Sequence, residues 1–469
     1  MIADLKPYPA YKESCLPWLG DVPEHWDVKR LKLLLREVDC RSSTGKEQLL
    51  RVSQYTGVTV RKSMDGTDLP DSRAASLIGY KRVMPNDLVI NIMLAWNGSM
   101  GVSRYEGIAS PAYCVYRFNS GALPLYYHEL LRIPLYKGRI KAASTGVVES
   151  RLRLYSDDLG CIEAILPPPD EQASIVRFLN WANGQLEKAI RAKRKVITLL
   201  NEQKQVIIHR AVTRGLDPSE PLKPSGISWI GEMPVHWNVV TVGSVLSLIQ
   251  TGPFGSQLHS HEYVAGGTPV INPSHMENGR IVASREIAIG ENKLCELSRH
   301  KLYAGDIIAA RRGEIGRCAL VTSVEVGWIC GTGSVLLRCK SSMVLPVYFQ
   351  RLFSSQGISD ELNLSSIGAT MPNLNSGMIA RLRIPLPPVD EQERIVRFIE
   401  CQNKVCDTAI SRFEREIELL REYRTRLVAD VVTGKLDVRE AAAKLPDEVQ
   451  TLEFEDDLVV LEEDVDCSL

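Results

Sequence analysis

An internal duplication constrains this 469-residue chain more than any other feature. Three blocks occur twice in the same order: Trp18–Trp26 and Trp229–Trp237, Leu166–Gln172 and Leu386–Gln392, and Val212–Asp217 and Val432–Asp437. The first pair is separated by 211 residues and the other two by 220 residues. Three ordered matches indicate a tandem repeat, and the length of the chain indicates at least two domains.

The segments between the repeated blocks have diverged. Residues 27–155 and 238–378 share only short stretches of similar sequence, such as Pro85–Ile90 and Ala304–Ala309. Short apolar runs punctuated by Gly, Pro and Asn are typical of strands and loops. We therefore predict strand-rich inserts, with buried strands at 89–94 and 335–338. Similar blocks around dissimilar inserts indicate a common frame that presents two different binding domains.

A long helix is predicted after each proline-rich block, at about 170–213 and about 389–433. Asp170 and Asp390 can cap these helices, and the preceding prolines cannot extend them backwards. Apolar residues recur every seven positions, which predicts antiparallel coiled-coil pairing of the two helices. Packing of each helix on its own domain is less favoured, because the apolar seam is narrow. The residues predicted to form helix–helix or partner-docking contacts are Leu179, Leu186, Leu200, Ile207, Ile399, Phe413, Ile417, Leu420 and Leu427.

The charge of the chain is unevenly distributed. Its net charge is −1, but residues 446–469 hold ten Asp or Glu and no Lys or Arg, so the preceding residues carry +9. Residues 27–155 contain 20 Lys or Arg against 11 Asp or Glu. This asymmetry favours an anionic partner for the body of the protein.

Several classes of protein are disfavoured by what the sequence lacks. The eleven cysteines form no Cys-x-x-Cys pair, so neither a disulfide framework nor a zinc site is expected. His259 and His261 have no third metal ligand nearby, and no metal site is predicted. No apolar run reaches membrane-spanning length, and the N-terminus lacks the apolar core of a secretory signal. We expect a cytosolic protein with no membrane association.

Catalytic motifs are also missing. A DNA methyltransferase needs a cofactor site and an Asn/Asp-Pro-Pro-aromatic loop, whereas the Pro-Pro pairs here follow Leu166 and Leu386. No Gly-x-x-x-x-Gly-Lys-Ser/Thr loop is present. A nuclease centre would have to combine Asp170 with Glu202, which lie 32 residues apart on one predicted helix. A self-contained methyltransferase or nuclease, and a coiled-coil scaffold with no DNA role, remain the alternative interpretations.

The repeated blocks resemble the specificity subunits of Type I restriction-modification systems. The similarity extends over about residues 11–438 and rests on the Trp-Ile/Leu-Gly-x-x-Pro-x-His-Trp blocks, the Leu-Pro-Pro helix starts and the Val-Thr-Gly-Lys-Leu-Asp helix exit. Ala95–Ser99 with Ser110–Tyr113 looks like one type of target-recognition domain. Thr251–Ser256 with Arg311–Gly316 looks like another.

This resemblance implies an α+β fold in which two mixed, strand-rich target-recognition domains are joined by two long antiparallel coiled-coil helices in a tandem pseudo-repeat. The expected divisions are an N-terminal segment with the first recognition domain, a central repeat with its helix and linker, a second recognition domain, a C-terminal repeat with its helix, and an acidic tail that we expect to be disordered. Their bounds are 1–155, 156–237, 238–378, 379–438 and 439–469.

The resemblance also implies a function. Each recognition domain would read one half of a bipartite site in double-stranded DNA, and the helices would dock two adenine methyltransferase (modification) subunits and, through them, restriction/translocase subunits. The chain itself would hold no catalytic residue and no cofactor. S-adenosylmethionine, ATP and Mg²⁺ are expected on the partner subunits.

Candidate DNA contacts follow from side-chain chemistry, because Arg, Asn and Gln pair with base edges while Lys and Arg contact phosphates. In the first insert the candidates are Arg51, Ser53, Gln54, Arg61, Lys62 and Arg151. In the second insert they are Ser256, Gln257, His259, Asn272, Arg311, Arg312 and Asn373. For any one of them, a solvated surface position is an equal alternative. Trp26 and Trp237 are interpreted as core anchors, because their context is identical in two domains with different targets.

Overall fold

The chain divides into two compact units, one containing residues 1–193 and 415–469 and the other residues 194–414. The computed structural model describes residues 5–61, 76–148, 151–254, 257–284, 286–365 and 374–446. Both units mix strands and helices, and the two longest helices contain 46 and 44 residues. The predicted α+β class with two long helices is confirmed. No helix of the described ranges has the length and apolar character needed to cross a membrane.

The first unit is built from short strands around one antiparallel sheet. Its strands are β1 (Tyr11–Glu13), β2 (Asp21–Pro23), β3 (Asp27–Arg30), β4 (Leu35–Glu37), β5 (Leu50–Ser53), β6 (Gly57–Val60), β7 (Lys81–Val83), β8 (Leu88–Asn91), β9 (Met100–Val102), β10 (Gly107–Ala109), β11 (Tyr113–Phe118) and β12 (Glu163–Leu166). Its helices are α1 (Leu31–Leu34), α2 (Pro124–Leu130), α3 (Pro134–Ala143), α4 (Ser156–Cys161) and the first part of α5 (Pro169–Arg214). The main sheet has the order β4-β11-β8-β9, and β5 pairs with β6 in a separate hairpin.

The second unit repeats this plan with a larger insert. Its strands are β13 (Leu222–Pro224), β14 (Glu232–Pro234), β15 (Asn238–Thr241), β16 (Leu246–Thr251), β17 (Thr268–Ile271), β18 (Met276–Glu277), β19 (Arg280–Ile281), β20 (Ala288–Ile289), β21 (Ile307–Ala310), β22 (Cys318–Leu320), β23 (Ile329–Cys330), β24 (Ser334–Cys339) and β25 (Arg383–Leu386). Its helices are α6 (Val242–Val245), α7 (Glu291–Glu296), α8 (Pro346–Phe353), α9 (Gln356–Ser365), α10 (Ser376–Arg381) and the first part of α11 (Val389–Val432). The main sheet has the order β16-β24-β21-β22, which matches the order in the first unit.

One strand is shorter than the sequence predicted. The buried strand expected at 89–94 ends at Asn91, where the side-chain oxygen accepts a hydrogen bond from the backbone N–H of Met93 at 3.1 Å. Gly98, with a φ of 96°, then reverses the chain into β9. A polar side chain that satisfies the next turn therefore ends a strand whose apolar sequence continues for three more residues.

An ion pair between a partly exposed arginine and a buried aspartate recurs in the two main sheets. The Arg338 guanidinium donates to both carboxylate oxygens of Asp306, at 2.7 and 2.8 Å, and the N–H of Tyr303 donates to the same carboxylate. In the first unit Arg117 donates to Asp87 at 3.1 Å. Both aspartates are almost fully buried, so each arginine stabilises a charge that would otherwise be left unpaired.

The repeated blocks meet around one glutamate in each unit. Glu171, in the first turn of α5, accepts hydrogen bonds from the Trp26 indole N–H at 2.8 Å and from the Tyr8 hydroxyl at 3.1 Å. His25 Nε2 lies 2.6 Å from the other oxygen of the same carboxylate. In the second unit Trp237 Nε1 and His236 Nε2 lie 3.0 and 2.8 Å from Glu391. The Trp and His of the first block therefore bind the Glu of the second block, which explains why both are repeated.

The neighbouring glutamine is buried in both units. The side-chain oxygen of Gln172 accepts from the N–H of Leu123, just before α2, and its amide donates to the carbonyl of Pro167. Gln392 makes the same bonds with Leu345 and Pro387. This amide ties the start of each long helix to the helix that follows the main sheet, so the sheet is positioned relative to the frame.

Each unit is completed by the end of the long helix from the other repeat. In the first unit the end of α11 joins the core through Leu427, Val431 and Val432, and the Tyr126 hydroxyl donates to the carbonyl of Val432 at 2.8 Å. In the second unit the end of α5 contributes Ile208 and Val212. The N–H of Asp437 donates to the carbonyl of Lys6 at 2.8 Å, so the segment before β1 pairs with the segment that follows α11.

A short helix follows α11. It is α12 (Arg439–Ala443), and residues 439–446 were expected to belong to a disordered tail. That expectation is wrong for these residues, because Ala442 and Leu445 are buried against the first unit and Arg439 donates to Asp437 and Glu171. Residues 447–469 lie outside the described residues.

The long helices run antiparallel within each unit. In the first unit Lys193 pairs with Glu416 and Glu187 with Arg424, at 2.5 and 3.6 Å. In the second unit Lys204 pairs with Asp407 at 2.5 Å. Of the predicted helix-contact residues, Leu179, Leu186, Ile399, Ile417 and Leu427 are buried, and Leu200, Ile207, Phe413 and Leu420 are partly buried.

Candidate nucleic-acid interface

The loops of the second unit gather at one end of its main sheet. Thr251 pairs with Val335, Ala310 with Ser334 and Ala309 with Cys318, so β16 and β21 end where β24 and β22 begin. The segments at this end of the sheet are 252–258, 311–317 and 331–333. Together with segment 272–275, which follows β17, they form what we call the loop edge of the second unit. The sheet thus brings together segments as far as 81 residues apart in sequence.

Close backbone packing holds this edge together. A Cβ on Gly252 would lie 1.8 Å from the carbonyl oxygen of Gly331, and a Cβ on Gly331 would lie 2.2 Å from the side-chain oxygen of Asn272. The N–H of Arg311 donates to Gly333, and the N–H of Leu374 donates to Arg311. Only glycine fits at positions 252 and 331, so these glycines set the shape of the edge.

Two adjacent arginines differ in exposure at this edge. The Arg311 side chain is buried, and its guanidinium lies over the Phe254 ring at 5.5 Å from the centroid. Burial, and then the charge of Arg312, lower the pKa of Arg311 below its usual value. Arg312 is exposed. The stacked arginine presents a rigid cation, and the exposed one can reach a ligand.

The other predicted residues of the second insert mainly shape turns. The Gln257 side chain accepts from the N–H of Phe254 at 3.1 Å. His259 is exposed, caps a short helical turn and stacks with His261 at 5.4 Å between ring centroids. Asn272 caps the turn after β17. Ser256 and Asn373 lie outside the described residues. Within the described ranges no three His, Cys, Asp or Glu side chains are placed to hold a metal ion.

The predicted residues of the first insert lie mostly on the β5–β6 hairpin. Arg51 donates to the Thr59 hydroxyl at 3.1 Å, and Ser53 is buried with its hydroxyl accepting from Tyr55. The carbonyl of Gln54 accepts from Arg132. Arg61 and Arg151 are exposed, and Lys62 lies outside the described residues. The hairpin is not part of the main sheet, so the structure does not bring these side chains to one strand end.

The first unit has its own loop edge, at the equivalent end of its main sheet. Tyr113 pairs with Asn91 and Ile90 with Met100, so the segments that leave this end are 38–41, 92–99 and 110–112. The Lys141 ammonium lies 5.4 Å from the centre of the Trp96 ring. The Asn97 side chain accepts from the N–H and the hydroxyl of Ser99.

Trp96, Asn97 and Lys141 are not among the predicted DNA contacts, although Trp96 and Asn97 lie in the segment Ala95–Ser99 that resembles a target-recognition domain. The sequence did indicate this segment. The similar stretches that contain Asp87 and Asp306 are 219 residues apart, and the same offset aligns segment 92–99 with the segment that contains Arg311 and Arg312.

Comparison with known proteins gives consistent matches. The model of the family described as "Type I restriction modification DNA specificity domain" matches residues 234–419. The specificity subunit of the Type I restriction enzyme MjaVIII of Methanocaldococcus jannaschii is 22% identical over 436 residues, which is 89% of this chain and 94% of that protein. The specificity subunit of the Type I restriction enzyme EcoKI of Escherichia coli K12 is 22% identical over 437 residues, which is 89% of this chain and 90% of that protein.

A solved structure shares the fold. A chain from a study of complex assembly and conformational transition of the type I R-M system aligns with a TM-score of 0.62 and 15% identity, over 88% of this chain and 98% of that chain. The architecture of two mixed units with long helices is therefore one that this known chain also adopts.

Proposed function

This chain belongs to the family of specificity subunits of Type I restriction-modification systems, and we propose that each of its two units reads one half of a bipartite site in double-stranded DNA. The observation that carries the proposal is a frame that occurs twice, combined with loops that differ between the two units. Glu171 and Glu391 hold the same partners, and both main sheets have the same strand order. The loops at the equivalent ends of those sheets differ in sequence and length.

In the second unit, the loop edge provides the half-site reader. Arg312 is exposed beside the Arg311–Phe254 stack, and a guanidinium can donate two hydrogen bonds to the O6 and N7 of guanine or to a phosphate. Gly252 and Gly331 allow the backbone segments beneath these arginines to pack closely, which fixes the position of the loop edge. We propose residues 238–378 as the recognition insert of this unit.

In the first unit, we propose residues 27–155 as the recognition insert and the loop edge around Trp96 as its centre. Asn97 and Lys141 can supply hydrogen bonds and positive charge there. Arg51, Arg61 and Arg151 act at the periphery, where contacts to phosphates add affinity without sequence information.

The long helices carry the second part of the proposal. Two adenine methyltransferase subunits dock on them, and restriction/translocase subunits join through those partners. Large apolar side chains are exposed along α5 and α11, including Leu199, Val206, Phe398 and Val405, with 52, 64, 40 and 67% of their surface accessible. Such residues are typical of protein-contact surfaces. S-adenosylmethionine, ATP and Mg²⁺ bind to the partner subunits, and this chain is the non-catalytic recognition subunit.

Methylation mapping of DNA from cells that express this chain with its methyltransferase tests the proposal. Replacing residues 27–155 by the corresponding insert of a relative should change one half of the methylated sequence and keep the other half and the spacing. The reciprocal exchange of residues 238–378 is the matched control and should change the other half. A chimera that altered both halves would contradict the division of the reading between the units.

A further inference from the structure

The acidic C-terminal segment is the part of the chain that the proposed function leaves unused. Residues 447–469 contain ten Asp or Glu and no Lys or Arg. Apolar residues such as Leu452 and Phe454 are interspersed among the acidic ones. A segment of this composition suits a basic surface with apolar walls, and the first unit has one.

The last described residues fix where this segment starts. The Arg177 guanidinium, on α5, donates to the carbonyl oxygens of Leu445 and Pro446 at 2.7 and 3.0 Å. Residues seven and fourteen positions further along a helix lie on nearly the same face, so Gly184 and Arg191 share the face of Arg177. The acidic segment therefore begins on that face of α5.

A cleft of about 720 Å³ opens on this face, entirely within the first unit. Its walls are α5, the β5–β6 hairpin, α2 and the last turns of α11, and we call it the arginine cleft. Its cations are Arg104, Arg132, Arg191 and Arg424, against the carboxylates of Glu129 and Glu187. Glu187 already lies 3.5 Å from Arg191 and 3.6 Å from Arg424. The cleft therefore carries an excess of positive charge.

The cleft also offers apolar contact and unused hydrogen-bonding groups. Val58, Leu125 and Val428 line it. Asn183 Oδ1 and Thr56 Oγ1 belong to lining residues, are buried, and have no hydrogen-bond partner within the described part of the chain. An amide oxygen can accept from a peptide N–H and a hydroxyl can donate to a carboxylate, so an acidic peptide would satisfy both groups.

We propose that residues 447–469 bind in the arginine cleft of their own chain. The distance permits it, because the 14 residues from Arg177 to Arg191 span about 21 Å of helix and an extended chain covers that length in about seven residues. The acidic residues between Asp447 and Asp457 are then the ones that face the arginines. Burial of Leu452 and Phe454 against the apolar wall adds to the attraction between the charges.

Fluorescence anisotropy with a labelled peptide of residues 447–469 tests this directly. A chain that ends at Pro446 should bind the peptide. The full-length chain should bind it at least about tenfold more weakly, because the tethered segment competes at a high effective concentration. In the shortened chain, Arg104→Glu should weaken binding about tenfold, since it replaces an attraction by a repulsion. Arg36→Glu, at an exposed position away from the cleft, is the matched control and should leave binding unchanged.

Three results would overturn the proposal, provided that circular dichroism shows each variant to be folded. The peptide could bind the full-length and shortened chains equally, or bind neither. Binding could be indifferent to Arg104→Glu. The third result uses a duplex oligonucleotide in place of the peptide. If Arg104→Glu lost binding of the duplex but kept binding of the peptide, the cleft would be a DNA site.

Discussion

The indole N–H of Trp26 donates to the Glu171 carboxylate at 2.8 Å, across 145 positions of the sequence, and Trp237 does the same with Glu391 at 3.0 Å. Both tryptophans are fully buried, which confirms their interpretation as core anchors. Each bond joins the block before an insert to the block after it. The insert is thus closed at its base by a contact that does not depend on the insert's own sequence.

Removing this carboxylate should destabilise the first unit. Glu171→Ala leaves the Trp26 N–H buried without an acceptor, and we expect the free energy of unfolding to fall by about 1–3 kcal/mol. Glu171→Gln keeps an acceptor and should lose less. Urea unfolding followed by tryptophan fluorescence measures both, with Glu400→Ala as an exposed control on α11. An equal loss in the control and in Glu171→Ala would contradict the role of this bond.

His128 should make the first unit sensitive to acid. Its Nδ1 accepts from the N–H of Val102 at 3.1 Å, and burial, followed by the charges of Arg132 and Arg104, lowers its pKa from 6.5 to about 3. The unfolded chain therefore binds more protons between these values, and stability falls as the pH drops from 6.5 towards 3, by up to about 1.4 kcal/mol per pH unit. Above pH 6.5 the residue has no such effect.

Thermal unfolding of His128→Gln at a series of pH values measures this contribution. The slope of stability against pH in the acid range should be shallower than in the wild type, whereas His261→Gln, at an exposed position, should leave it unchanged. A wild-type slope in His128→Gln would show that the imidazole is not the group responsible.

Arg312→Ala should affect only the half-site assigned to the second unit. A lost bidentate base contact costs about 1–3 kcal/mol and relaxes one position, whereas a lost phosphate contact weakens all sequences alike. Arg311→Ala should do more damage, because it also removes the stack on Phe254. Methylation profiles separate these effects. A change in the half-site of the first unit would be inconsistent with separate readers.

A charge placed at Ile417 should disturb the paired helices and with them the assembly with methyltransferase. Ile417 is 7% exposed on α11, and an unpaired buried charge costs several kcal/mol. Phe413→Asp should act in the same direction but less strongly, because Phe413 is only partly buried. Thr408→Asp, at an exposed polar position of α11, controls for added charge. Light scattering of the complex should show loss of methyltransferase for Ile417→Asp, and a normal complex would argue against the helices as the docking scaffold.

The frame could be predicted from the sequence because it occurs twice. The helices predicted at about 170–213 and 389–433 are Pro169–Arg214 and Val389–Val432. The roles of Glu171 and Gln172 could not be predicted, since Trp26 and Leu123, which bind them, lie more than forty residues away along the chain. The structural role of Gln257 could not be predicted from the sequence, for a physical reason. The same amide that can bind adenine can also accept the N–H of a nearby turn, as it does with Phe254.

The bond between Asp437 and Lys6 has a consequence for how such a protein can be encoded. Trp26 and Trp237 each bind the helix start of their own repeat, and each packs against the helix exit of the other repeat, at Gly434 and Gly215 respectively. The architecture therefore requires two repeats but not one polypeptide. We therefore expect a half-length chain, residues 1–217, to form a symmetric homodimer in which each copy supplies the other's missing helix exit. Such a dimer would carry two identical readers, and its methylated sequence would be a palindrome. If the half-length chain sedimented as a monomer, this expectation of a homodimer would be refuted.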